Sequence, residues 1–266
     1  MVRNPDREDG TFEMYLAKII ESLTVRFANR VIWMDGIQMQ KKYFIETYPN
    51  LAEKQFKELP FLGFEAGKFE SVPTENYEAS TITYAGSFYE GWIEPYELLR
   101  GFSDYVNKNE PEGDELTLQF YGDWSDEYQG AVEKLNLVEF VNTYNFVPHE
   151  KIIPLLKGSD IVVYIGGKDP ENRLSVPSKI WDYMGAKTPI LAVVDPSFRV
   201  AQLIEENGLG VVVHPDNREE IADAIERMLS GEFQYVSNKT TFDEFSRSHK
   251  MDELAEVLDS VSENNH

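Results

Sequence analysis

Cysteine is absent from the 266-residue sequence. This excludes disulfides, thiolate nucleophiles and Cys-ligated metals, and it fits a reducing compartment such as the cytoplasm. Basic residues are scarce: 25 Lys and Arg stand against 47 Asp and Glu, a formal charge of −22. Phosphate backbones need basic surface, so nucleic acid is excluded as a partner. No run of about 18 apolar residues occurs, and the opening MVRNPDREDG lacks the apolar core of a secretory signal. No transmembrane segment is expected. The four histidines, His149, His214, His249 and His266, are scattered and no Asp-x-Asp is present, so no metal site is expected either. G-x-G-x-x-G, the Walker lysine loop and G-x-S-x-G are all missing, which counts against a Rossmann dehydrogenase, a P-loop triphosphatase and a serine hydrolase.

The acid that is present is spread along nearly every segment rather than gathered in a tail. Two readings stay open: an acidic cytosolic protein, or an acidic halophilic one, soluble in molar salt where a Debye length of about 3 Å removes most self-repulsion. With 42% hydrophobic residues the chain can bury a real core.

From Thr81 onward, β-rich runs alternate with amphipathic stretches. The runs are TITYAG (81–86), LTLQFYG (116–122), FVNTYNF (140–146), DIVVYIG (160–166), PILAVV (189–194) and GVVVHP (210–215). Leu98, Leu99, Phe102, Tyr105 and Val106 recur at helical spacing, as do Ile221, Ile225, Met228 and Leu229. This pattern predicts an α/β fold with a doubly wound parallel sheet covered by helices on both faces. Residues 1–80 hold a long amphipathic helix (Phe12, Leu16, Ile19, Ile20, Leu23, Phe27), the strand RVIWM, another helix and a short strand near LPFLGF, too little sheet to close a core alone. A polar stretch, SNKTT, reads as a linker before a last helix at about 243–261.

In such sheets ligands sit beyond the carboxyl ends of the strands. The loop that follows the fourth strand leads into SVPSKIWDYMGAKTPIL (175–191). Pro177 can preset a first helical turn and Ser178 is a good N-cap. A helix starting there would offer the amides of Ser178, Lys179 and Ile180, and the Lys179 charge, to a phosphate. Asp182 lies one turn deeper on the same face, where it could meet ribose hydroxyls. The competing structural reading has Asp182 facing solvent and Trp181 and Tyr183 in the core.

Residues 81–230 resemble the C-terminal, donor-binding domain of GT-B glycosyltransferases, the family 4 (group 1) retaining type. The stretches that carry the likeness are ITYAGSF, LQFYGDWSDEY, FVNTYNFVPHEKIIPLLKGSDIVVYIGG, VPSKIWDYMGAKTPILAVV and IEENGLGVVVHPDNREEIADAIERML, in the family's order. The resemblance implies a Rossmann-like donor domain at 81–235, an incomplete remnant of the acceptor-side domain at 1–80, and a linker with a crossover helix at 236–266. It implies a nucleotide-sugar-dependent, metal-free transferase for surface polysaccharide or glycoconjugate synthesis, cytoplasmic or peripheral to the membrane. The alternative it leaves is a non-catalytic nucleotide-sugar-binding subunit, or half of a split transferase with a separate acceptor-domain polypeptide. A third alternative is an epimerase of the same fold.

Position by position, Asp182 falls where the family places the ribose-holding second glutamate of E-x7-E, and the first glutamate falls at Leu174. The family's arginine after the first-strand glycine falls at Ser87, beside Gly86, and its lysine falls near Trp92. Neutralisation of the diphosphate is therefore expected from Ser178, Lys179, Arg173 and the helix end after Pro177. The base is expected at Asn145, Phe146 and Val147, held largely by backbone groups.

Overall fold

The computed structural model describes residues 12–34, 44–49, 56–59, 63–167, 170, 173–233, 235 and 239–263. The chain divides into two compact units, residues 1–61 with 251–266, and residues 62–250.

In the first unit, α1 (Phe12–Phe27) precedes β1 (Val31–Met34) and β2 (Phe56–Leu59). The two strands pair in parallel from Val31↔Phe56 to Met34↔Leu59. The helix expected between them falls largely outside the described residues. Val25 is the buried side chain of α1, whereas Phe12, Tyr15, Leu16, Ile19, Ile20, Leu23 and Phe27 are all exposed, Phe12 at 81%. At 100° per residue those seven positions lie on one broad stripe and Val25 lies opposite. The amphipathic pattern is thus real, but its apolar side is not the one that packs in this unit. Tyr48 donates to Glu21 on the polar flank, at 2.8 Å.

The second unit begins with α2 (Ala66–Ser71) and then alternates: β3 (Ser80–Ala85), α3 (Tyr96–Asn109), β4 (Leu116–Tyr121), α4 (Asp126–Lys134), β5 (Val141–Tyr144), α5 (His149–Gly158), β6 (Ile161–Gly167), α6 (Lys179–Ala186), β7 (Ile190–Val194), α7 (Arg199–Glu206), β8 (Gly210–Val213) and α8 (Arg218–Leu229). All six strands expected from the sequence are present, in one parallel sheet ordered β5-β4-β3-β6-β7-β8. Strands buried on both faces read as continuous apolar runs, and β6 and β7 are buried at every position. Alternate β6 residues feed the two cores. Val162 and Tyr164 join α5, α6 and α7, while Ile161, Val163 and Ile165 join α3, α4 and α8. The order reverses between β3 and β6, a topological switch point that opens a crevice at the carboxyl edge.

The C-terminal segment departs from expectation. Part of SNKTT is helical, in α9 (Lys239–Glu244), and the last helix starts afresh as α10 (Arg247–Glu263). Between them Phe64 donates to the Phe245 carbonyl at 3.2 Å and accepts from the Arg247 amide at 2.8 Å. This strand-like bridge pulls the backbone out of helical register, and Ser246 restarts the helix by accepting from the His249 amide at 3.3 Å.

Candidate functional site

The site is built where α6 leaves the loop after β6 and faces the end of β3. Helix α6 is held rigidly from below. Tyr183 is fully buried and donates to the Val163 carbonyl at 3.0 Å, and Thr188 donates to the Leu156 carbonyl at 2.7 Å. Lys187 in the left-handed region ends the helix, its amide donating to Met184 at 3.0 Å. The stretch MGAKTP is therefore a helix terminus.

The start of α6 differs from expectation. Ser178 occupies the N-cap position but is already helical (φ −58°, ψ −30°) and makes no capping bond through its side chain. Pro177 instead accepts from the Ile180 amide at 3.1 Å and Ser178 from the Trp181 amide at 3.0 Å, which tightens the first turn. Of the three amides expected to be open, that of Ile180 is consumed. Those of Ser178 and Lys179 have no acceptor among the described residues.

The Lys179 side chain runs back toward β3. Its Nζ lies 4.4 Å from the centre of the Tyr84 ring and donates to the Tyr84 oxygen at 3.3 Å. No carboxylate among the described residues forms an ion pair with it, and burial pulls its pKa down to about 8. Gly86, at φ +142°, makes the room: a Cβ there would overlap Nζ. Behind Gly86 sits Gly122, at φ +152°, against the Gly86 carbonyl.

One turn along α6, Asp182 does not face open solvent. Its Oδ1 accepts from His149 Nε2 at 2.8 Å, so Nε2 carries a proton. His149 is the first residue of α5 and half exposed. Together with Ser178, Trp181, Phe64, Lys68 and Arg247 these two residues line a cleft of about 240 Å³. A larger cavity, about 490 Å³, lies between Trp92, Tyr96, Ile165, Gly167 and Val193. Its charged lining residues among those described are Glu94 and Glu97, the latter paired with Arg100 at 2.9 Å.

The remaining expected residues are placed as follows. Ser87 contributes its carbonyl to Tyr84 and lies beside Gly86. Arg173 sits in the turn before α6 with an exposed side chain, and its carbonyl accepts from the Arg199 amide at 2.7 Å. Asn145, Phe146 and Val147 form the exit from β5, with Val147 packed on the core and the Phe146 ring 56% exposed beside Gly122. Sequence reading missed Tyr84 and undervalued His149. Tyr84 is indistinguishable from any core strand residue by periodicity, and the one local sign at His149 was its place after Pro148 at a helix start.

Residues 93–249 match the family model for glycosyl transferases group 1, which is more than half of the chain. The chain belongs to this family. Solved structures share the fold of this group 1 chain. A glycosyltransferase from Rickettsia africae ESF-5 superposes with a TM-score of 0.68 at 16% identity, covering 97% of this chain and 69% of that one. The Anabaena HepE protein in complex with UDP-glucose gives 0.64 at 19% identity, over 94% and 68%. A UDP-forming trehalose-phosphate synthase from Burkholderia xenovorans gives 0.64 at 13% identity, over 91% and 64%. The group 1 chain thus spans about two-thirds of the length of these structures. No curated protein sequence matches it. Among the described residues no helix is long and apolar enough to cross a membrane, and no cluster of three His, Asp or Glu could hold a metal ion.

Proposed function

We propose that residues 62–250 bind the donor of a nucleotide-sugar-dependent, retaining glycosyltransferase of surface polysaccharide or glycoconjugate synthesis, with no metal required. The observation that carries this reading is the Lys179 ammonium. It is desolvated, held over an aromatic ring and without a protein anion among the described residues, at the helix end beside the switch point of the sheet. A desolvated cation of this kind draws its counter-charge from a ligand. A diphosphate on Lys179 and the Ser178 and Lys179 amides would place its ribose toward Asp182 and the cleft. In transfer, negative charge grows on the leaving diphosphate, and a preoriented cation with helix-end amides stabilises it without reorganisation. His149 holds one oxygen of Asp182, which leaves Oδ2 to accept from a ribose hydroxyl.

Titration calorimetry against UDP, GDP and ADP and their sugar conjugates, at 0.15 M and at molar potassium chloride, tests the reading. Saturable binding of one diphosphate is expected, and Asp182→Ala is expected to weaken it by about 1–3 kcal/mol through lost charge-assisted hydrogen bonds. Folded protein that binds none of these would remove the donor role, and unchanged affinity in the variant would remove Asp182 from it.

A second reading, a donor half that pairs with a separate acceptor-side polypeptide, is favoured by the exposed stripe on α1 and the two-stranded sheet beside it. A stripe of seven large apolar residues on one helix marks an interaction face. Leu16→Glu with Ile20→Glu is expected to lower binding of the dye ANS several-fold with UDP binding unchanged. ANS binding equal to that of the parent protein would mean the stripe is already covered.

A further inference from the structure

The loop after β3 folds back on its own strand in a way that donor binding by Lys179 alone does not require. Phe88 stacks on Tyr84, with ring centres 4.6 Å apart and planes 9° from parallel. The Tyr84 hydroxyl donates to the Ser87 carbonyl at 2.9 Å, closing the turn around Gly86. The Lys179 ammonium sits over the Tyr84 ring and bonds the same hydroxyl. Phe88 is itself packed edge-on by Trp124 and Tyr128, so the ring stack cannot slide. A single tyrosine therefore touches the cation twice and fixes the turn that leaves space for it.

We infer that Tyr84 is the positioning residue of the diphosphate seat: its ring and hydroxyl hold the Lys179 ammonium at the mouth of the Gly86 turn and keep it charged enough to receive the ligand. This rests on the donor-binding reading above. The physical case is one of compensation. Packing Lys179 against the sheet edge strips water from its ammonium, and no carboxylate among the described residues restores that loss. A cation–π contact and an oxygen acceptor restore part of it, and neither competes with an incoming phosphate as an aspartate would. The titratable groups around the Tyr84 ring are Tyr89 in the same loop, Tyr128 of α4, Tyr164 of β6 and Tyr183 of α6. Burial raises Tyr84, Tyr128, Tyr164 and Tyr183 above their ordinary pKa. Asp182, beside Tyr183, is engaged by His149. Lys179 is the group of the seat that burial brings down to about 8.

The test is the pH profile of UDP affinity between pH 6.5 and 9.5, measured by calorimetry for the parent protein, Tyr84→Phe and Tyr84→Leu, with melting temperatures recorded alongside. Tyr84→Phe removes the oxygen and keeps the ring. It is expected to move the alkaline midpoint of the profile to lower pH, with affinity near the parent value at pH 6.5 and several-fold weaker at pH 8. Tyr84→Leu removes both contacts and is expected to move the midpoint further. A merely structural tyrosine would lower the melting temperature and leave the midpoint where it was, and that result in Tyr84→Phe overturns the inference. If Tyr84→Leu does not fold, Tyr84→Phe decides alone. A parent protein that binds no diphosphate at any pH refutes the donor reading itself. A parent that binds, with a midpoint shared by Tyr84→Phe, refutes only the role of Tyr84.

Discussion

Lys179→Met is expected to lower UDP affinity by about 2–4 kcal/mol, roughly 30- to 1000-fold, because it removes one partner of a desolvated charge pair. Methionine is close to lysine in length, and its sulfur rests well on an aromatic face. The same change is expected to stabilise the ligand-free protein at pH 7. Lys179 has a folded pKa of about 8, below the ordinary lysine value near 10.5. Its charged form is therefore penalised in the native state. That cost is fully present below about pH 8 and is relieved as pH rises from about 8 toward 10.5. Removing the charge removes a cost on the order of 1–3 kcal/mol, which differential scanning calorimetry would register as a higher melting temperature. Loss of binding together with gained stability marks a residue kept for its ligand.

Proton linkage gives this prediction a second readout. A diphosphate is fully ionised above about pH 7.5, since its last ionisation lies near 6. Any fall in UDP affinity above pH 8 then reports the protein. In the parent, affinity is expected to drop as pH passes about 8, by up to about tenfold per unit, because binding must first protonate the amine. Lys179→Met is expected to flatten that slope. A slope that survives the substitution would move the responsible group elsewhere.

The second large effect separates two neighbouring glycines. Gly122 has φ +152°, and a Cβ there would run into the Gly86 carbonyl oxygen, backbone against backbone. Gly122→Ala is expected to cost about 3 kcal/mol through strain at the β3–β4 edge, a fall of roughly 6–12 °C in melting temperature for a unit of this size. At Gly86 the obstacle is the far end of the flexible Lys179 chain. Gly86→Ala is expected to lower stability less and UDP binding more, since Nζ is driven off the Tyr84 ring. Equal melting temperatures for Gly122→Ala and the parent would show that the edge yields. Parent-like UDP affinity in Gly86→Ala would separate the turn from the seat.

Much of this architecture was legible because it is local. Runs such as IVVYIGG and ILAVV are strands in any parallel sheet, and the helical spacing of Leu98, Leu99 and Phe102 fixes the buried side of α3. The likeness carried by VPSKIWDYMG directed attention to Lys179 and Asp182, and both lie at the carboxyl edge of the sheet. Periodicity also found α1, but it could not say which way the stripe points. The broken C-terminal helix escaped for a related reason: its break at 245–246 is imposed by a bridge to Phe64, far away in the sequence.

The sequence by itself determined the strand and helix order, because each element follows from the pattern of residues a few positions apart, and that alternation implied the doubly wound sheet. Only the tertiary structure decided the electrostatics of the site. Lys179 meets Tyr84 across 95 residues and Asp182 meets His149 across 33. Whether a lysine is a solvated surface charge or a desolvated, unpaired cation depends on what the fold packs around its ammonium, and no local pattern carries that information.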